Sequence, residues 1–187
     1  MTTALLVMDI QNGIVERFGE RSAPLLATIA HTVAEARANA VPVIFVRVAF
    51  REGAPEASAR NRSFSSLATS DAMNESGPAT QVHASVAPLP GEIIVTKRRV
   101  SAFSGSDLDV VLRSLGVDSL VLCGIATSGV VLSTLRQAAD LDFAITVLHD
   151  GCADADQEVH RVLTEKIFPR QAAVISAGEW CALVKGH

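Results

Sequence analysis

Short runs of consecutive apolar residues recur along the chain, at positions 4–8, 43–48, 93–96, 120–123, 143–148 and 172–175. Apolarity that is continuous instead of alternating marks strands covered on both faces. The stretches between these runs carry helical spacing. Residues 24–40 predict one helix. Residues 107–115 predict a second, with Leu108, Val111, Leu112 and Leu115 on one face, Ser106 and Asp109 as a capping box, and Gly116 as its stop. A third, from Ser128 to Asp140, is apolar nearly all round and so predicted to be buried. A fourth spans 156–167.

Strand and helix alternating in this way predict an α/β fold: one three-layer α-β-α domain over 1–187, with a six-stranded, mostly parallel sheet. Ligands in such folds bind beyond the carboxyl ends of the strands. Residues 51–90 break the pattern. They are rich in Ser, Ala, Gly, Pro and Asn, with a short helix predicted only at 79–86, and read as an excursion over the site or an oligomer contact.

Composition narrows the function. With 187 residues, 49% hydrophobic, one core can be built without a metal or disulfide staple. The net charge of −4, the lack of basic runs and only 4% aromatic residues exclude a nucleic-acid footprint. The opening MTTALLVMDI has no basic leader and reads as a strand instead of a signal peptide, and no run is long enough for a membrane span. Three cysteines without a CxxC pair fit free thiols in a reducing cytoplasm.

Polar residues stand directly after three of the strands: Asp9 and Gln11, Lys97, and the pair Thr127–Ser128. All fall on one sheet edge. An acid and a lysine gathered there can form a proton-transfer pair; the other reading is a loop-capping Asp9 and a solvated Lys97. In CGIATSG, Gly124 ends a buried strand and Thr127 and Ser128 open a buried helix, whose free N–H groups could hold a carbonyl oxygen or carboxylate, or merely be capped.

VMDIQNG, TKRRVSAFSGSDLD and LCGIATSGVVLSTLRQAADLDF followed by LHDGCAD, in this order and spacing, resemble the isochorismatase-like, or cysteine hydrolase, superfamily. The resemblance implies a six-stranded parallel sheet of Rossmann-like topology, Asp9 and Lys97 as catalytic residues, and Phe103 as a pocket wall. It also implies a cis peptide at Ile125-Ala126 that aims backbone N–H groups at an oxyanion. Gln11, Ile125, Ala126, Thr127, Ser128 and Val130 complete the implied substrate pocket. Amidase members carry a nucleophilic cysteine at the seventh position from Gly124, which is Val130 here. Cys123, Cys152 and Cys181 are out of place for that role, Cys152 being nearest the right edge. True isochorismatases also lack the cysteine and hydrolyse an enol ether, but their turn carries a histidine where this chain has Ser128.

The resemblance therefore implies a hydrolase of a small metabolite without a cysteine nucleophile, or a binding protein that kept the cleft and lost turnover. The metal-binding DxHxxH element of some amidase members is missing from FREGAPEASARNRSF, and His31, His83, His149, His160 and His187 have no ligand spacing, so neither metal nor cofactor is expected. Arg47, Arg51, Arg98 and Arg99 are carboxylate-binding candidates or surface charges. A homodimer or larger homo-oligomer is expected.

Overall fold

The computed structural model describes residues 2–65 and 73–186. Six strands, β1 (Thr3–Met8), β2 (Val43–Val48), β3 (Ile93–Lys97), β4 (Ser119–Ile125), β5 (Ala144–Ala153) and β6 (Ala173–Ile175), form one parallel sheet in the order β3-β2-β1-β4-β5-β6. Strand order reverses between β1 and β4, so the crevice at their carboxyl ends is the topological switch point.

Successive side chains of a strand point to opposite faces, which is why continuous apolar runs are needed here. From β1, Ala4, Leu6 and Met8 pack under α3 (Leu108–Ser114) and α4 (Leu132–Asp140), while Leu5 and Val7 pack under α1 (Asn12–Phe18), α2 (Ser22–Ala38) and α6 (Ala177–Lys185). The sheet is thus sealed on both faces. Among the described residues, no helix is long and apolar enough to cross a membrane.

Several local expectations change. The helix expected from Ser128 starts with a π-helical turn, Thr127–Val131, before α4. The one expected over 156–167 is α5 (Gln157–Val162) followed by a second π-helical turn, Leu163–Ile167. The Ser106–Asp109 capping box does not form: Asp109 is a methylene shorter than the usual Glu and instead meets Arg113 at 2.8 Å, one turn on. A true capping box opens α6, where the Ser176 hydroxyl accepts from the Glu179 N–H and the Glu179 carboxylate from the Ser176 N–H.

In the excursion, the helix expected at 79–86 is two separate 3-10 turns, Pro78–Thr80 and Ala84–Val86. Between them the backbone is extended because it bonds to the end of β1: the Asn12 N–H donates to the Gln81 carbonyl and the His83 N–H to the Ile10 carbonyl. The portion at 66–72 lies outside the described residues. Cys152, expected just past the fifth strand, lies within β5. A bulge there brings it opposite Gly124 on β4.

Candidate active site

The carboxyl ends of β1 and β3 deliver one charge each. Asp9 follows β1 with a left-handed backbone, φ 57°, a conformation aspartate tolerates better than most residues, and its N–H donates to the Val46 carbonyl of β2. Lys97 ends β3. Both are buried, and the Lys97 Nζ stands 2.9 Å from Asp9 Oδ2. The ammonium donates its other hydrogens to the carbonyls of Arg99 and Val100, each at 3.0 Å, so all three are accepted by oxygens. Asp9 Oδ1 is buried and has no hydrogen-bond partner among the described residues.

Two forces oppose each other on that carboxyl. Burial pushes the Asp9 pKa up, and the Lys97 cation and its hydrogen bond pull it down; burial prevails. The site thus holds a proton acceptor or donor with one oxygen anchored and the other uncommitted.

The loop that supplies the Arg99 and Val100 carbonyls is clamped from α4. The buried Thr134 hydroxyl accepts from the Ala102 N–H at 2.9 Å, and Gln137 Oε1 accepts from the Ser101 and Ser104 hydroxyls at 2.7 and 3.2 Å. These positions carried no signal beyond helical spacing, because their role depends on which loop α4 meets. Thr134→Val keeps the shape but leaves the Ala102 N–H unpaired. It is expected to cost about 1–3 kcal/mol, read as a lower midpoint in thermal unfolding with faster amide exchange at Ala102.

Gln11 is buried and fully engaged: its amide nitrogen donates to the carbonyls of Val48 and Thr80, both at 2.9 Å, and its oxygen accepts from the Val48 N–H at 2.8 Å. It stitches the end of β2 and the excursion to the start of α1. Ile125 is buried, and the Ile125-Ala126 peptide is cis. Of the two readings of the N–H groups at this turn, free for a ligand or capped, the second holds at Ser128: its N–H donates to Asp154 Oδ2 at 2.7 Å, because the chain leaving β5 passes beside this turn. Thr127 Oγ1 meets the His160 Nδ1 at 2.8 Å. Val130 and Phe103 are buried in the same apolar layer, with the Phe103 ring 6.0 Å from that of Phe143.

The four arginines serve the excursion. Arg98 reaches Glu75 at 2.6 Å, Glu56 and the Ala49 carbonyl; Arg51 pairs with Glu56; Arg99 donates to backbone carbonyls; and Arg47 donates to Thr96, Gln81 and the Glu75 carbonyl. All three cysteines are buried free thiols, and burial pushes Cys152 up to about 12 and Cys123 well above its ordinary value. Among the described residues, no group of three His, Cys, Asp or Glu is placed to hold a metal.

The model of the isochorismatase domain matches residues 3–179. The chain belongs to the isochorismatase family. It is 34% identical over 180 residues to the isochorismatase family protein YecD of Escherichia coli O157:H7, covering 95% of this chain and 94% of that one. It is also 32% identical to the ureidoacrylate amidohydrolase RutB of Pseudomonas syringae pv. syringae, over 93% of this chain and 76% of RutB. Among solved structures, an isochorismatase family protein from Burkholderia thailandensis superposes with a TM-score of 0.87 at 28% identity, covering 98% of this chain and 96% of that one. A cysteine hydrolase from Pseudomonas syringae pv. phaseolicola shares the fold, with a TM-score of 0.92 at 24% identity over 99% and 93% of the two chains. This isochorismatase-family member is accordingly a hydrolase with a six-stranded α-β-α fold.

Proposed function

We propose that this isochorismatase-family hydrolase cleaves a small metabolite by direct attack of water, with Asp9 moving the proton, Lys97 fixing the charge beside it, and no covalent enzyme intermediate. The observation that carries the reading is the buried Asp9 carboxyl, with Oδ2 held by Lys97 and Oδ1 uncommitted. Burial, which raises the Asp9 pKa against the pull of Lys97, favours the protonated form that a proton donor needs. Lys97 has no spare hydrogen for a substrate, so its role is electrostatic.

Enol-ether hydrolysis fits this apparatus better than amide hydrolysis. Asp9 gives its proton to the terminal alkene carbon, water adds to the resulting oxocarbenium carbon and returns a proton to Asp9, and the hemiketal breaks its C–O bond to leave a ketone and an alcohol. No thiol is required. Val130 occupies the position that the resemblance assigns to the amidase nucleophile, and the Cys152 thiol, near 12, supplies no thiolate at neutral pH. A second reading, a binding protein without turnover, is favoured by the burial of Val130 at 2% exposure, where a small residue would leave room for water or a substrate ring.

Purified protein tested against isochorismate, nicotinamide, small amides and enol ethers separates the two. Turnover of an enol ether that disappears in Asp9→Asn supports the hydrolytic mechanism; saturable binding across the panel with no turnover supports the binder. Iodoacetamide at neutral pH is expected to leave wild-type turnover unchanged. Val130→Cys, a loss of about one methyl costing roughly 1 kcal/mol, is expected to fold and to gain slow amide hydrolysis that iodoacetamide abolishes. If wild-type turnover itself falls with iodoacetamide, or with Cys152→Ala, the thiol-free mechanism fails.

A further inference from the structure

A cavity of about 350 Å³, which neither Asp9 nor Lys97 lines, opens between the α1–α2 corner and the end of β5. Its volume is within the range of small-molecule sites, at the lower end. Phe18, Cys152 and Ala153 give it an apolar wall, and the Cys152 thiol, kept neutral by burial, behaves there as a small hydrophobe. Cys152 and Ala153 sit in register with Gly124 and Ile125, so this wall adjoins the strand that carries the cis peptide.

The polar groups converge from two elements. Arg21 lies over the Phe18 ring, its Cζ 5.9 Å from the centroid, and its guanidinium takes part in no ion pair among the described residues. Gln157 and His160 line the same cavity from α5. Asp154, also at the cavity, is already committed: Oδ2 accepts from the Ser128 N–H and Oδ1 from the Asp156 N–H. Of the lining residues Arg21 carries the permanent positive charge, and burial pulls the His160 pKa down.

We propose that this cavity is a second binding site, taking a small monocarboxylic acid with a flat apolar body and coupling its occupancy to the turn at Thr127 and Ser128. A single ring fits the volume and lies against Phe18, Cys152 and Ala153, while the carboxylate meets the planar fork of Arg21. Coupling follows from shared side chains. His160 holds the Thr127 hydroxyl at 2.8 Å and Asp154 holds the Ser128 N–H at 2.7 Å, so a ligand touching both cannot settle without acting on the turn that leads into the π-helical segment bearing Val130.

The test is calorimetric titration of the purified full chain with benzoate and cyclohexanecarboxylate, with benzyl alcohol as the uncharged control, followed by amide NMR. Both acids are expected to bind saturably and benzyl alcohol at least tenfold more weakly. Arg21→Ala, an exposed position that leaves the core intact, is expected to weaken benzoate at least tenfold, and Gln157→Ala severalfold. Asp9→Asn is expected to leave the affinity within twofold, which keeps this result independent of whether the catalytic proposal holds. At saturation the Ser128 amide resonance is expected to move. Absence of saturable binding overturns the site, as does binding that survives Arg21→Ala but is lost in Asp9→Asn. An unmoved Ser128 amide at saturation overturns the coupling.

Discussion

Asp9→Asn is expected to lower turnover by roughly 10²- to 10⁴-fold, the range a positioned general acid or base supplies, while leaving the protein folded. Asparagine keeps an oxygen for the Lys97 ammonium, which also retains the Arg99 and Val100 carbonyls, so the buried cation is not stripped of partners. Lys97→Met should behave differently. It removes the charge and the hydrogen bond that lower the Asp9 pKa and leaves burial to raise it. If Asp9 works as the proton donor, activity falls as pH rises through its pKa, and in Lys97→Met that fall is expected to move to higher pH. Rate–pH profiles of the two variants and the wild type check this. An unchanged profile in Lys97→Met would remove Lys97 from the mechanism.

The same carboxyl ties stability to pH with a definite sign. Its folded pKa lies above its unfolded value of about 3.8, so folding favours the protonated form. The stability this contributes is complete below the unfolded pKa and is lost as pH rises through the folded one. Denaturant unfolding over that window should show wild-type stability declining with pH relative to Asp9→Asn, which has no proton to lose.

Gly124→Ala is expected to cost at least about 4 kcal/mol, lowering the melting midpoint by roughly 8–16 °C for a chain of this size, or to prevent soluble folding. Gly124 has φ 142°, and a Cβ added there would lie 2.0 Å from the Met8 carbonyl oxygen and 2.8 Å from its carbon. Those atoms are backbone of the neighbouring strand and cannot swing aside; relief requires β1 and β4 to part where Met8 pairs with Gly124. That is also the residue before Asp9. Gly178→Ala is the control: nothing lies within 4 Å of its new Cβ on α6, and it is expected to be neutral or stabilising by up to about 1 kcal/mol. Thermal unfolding of the two variants checks both.

Much of the architecture was legible because burial on both faces of a parallel sheet demands uninterrupted apolar runs, and those runs mark all six strands. Helices with a broad apolar stripe were legible for the same reason. The short α1 was not, and α6 escaped notice although Ser176 and Glu179 spell out its capping box. The excursion misled because the 81–83 backbone is held extended by partners near residue 11, seventy positions earlier, and local propensity has no access to such bonds.

By itself, the sequence determined the layer order, the edge of the sheet on which chemistry could gather, and the family motifs around Asp9 and Lys97. Only the tertiary structure decided what each polar group does, because a hydrogen bond is a relation between two atoms and its partner can lie anywhere in the chain. It engaged Gln11 with Val48 and Thr80, gave the Ser128 N–H to Asp154, and turned four arginines toward the excursion. It also brought an ammonium from position 97 to a carboxylate at position 9 and left one carboxylate oxygen uncommitted. Periodicity records which faces avoid water, and the pairing of charges inside is set by the packing of those faces.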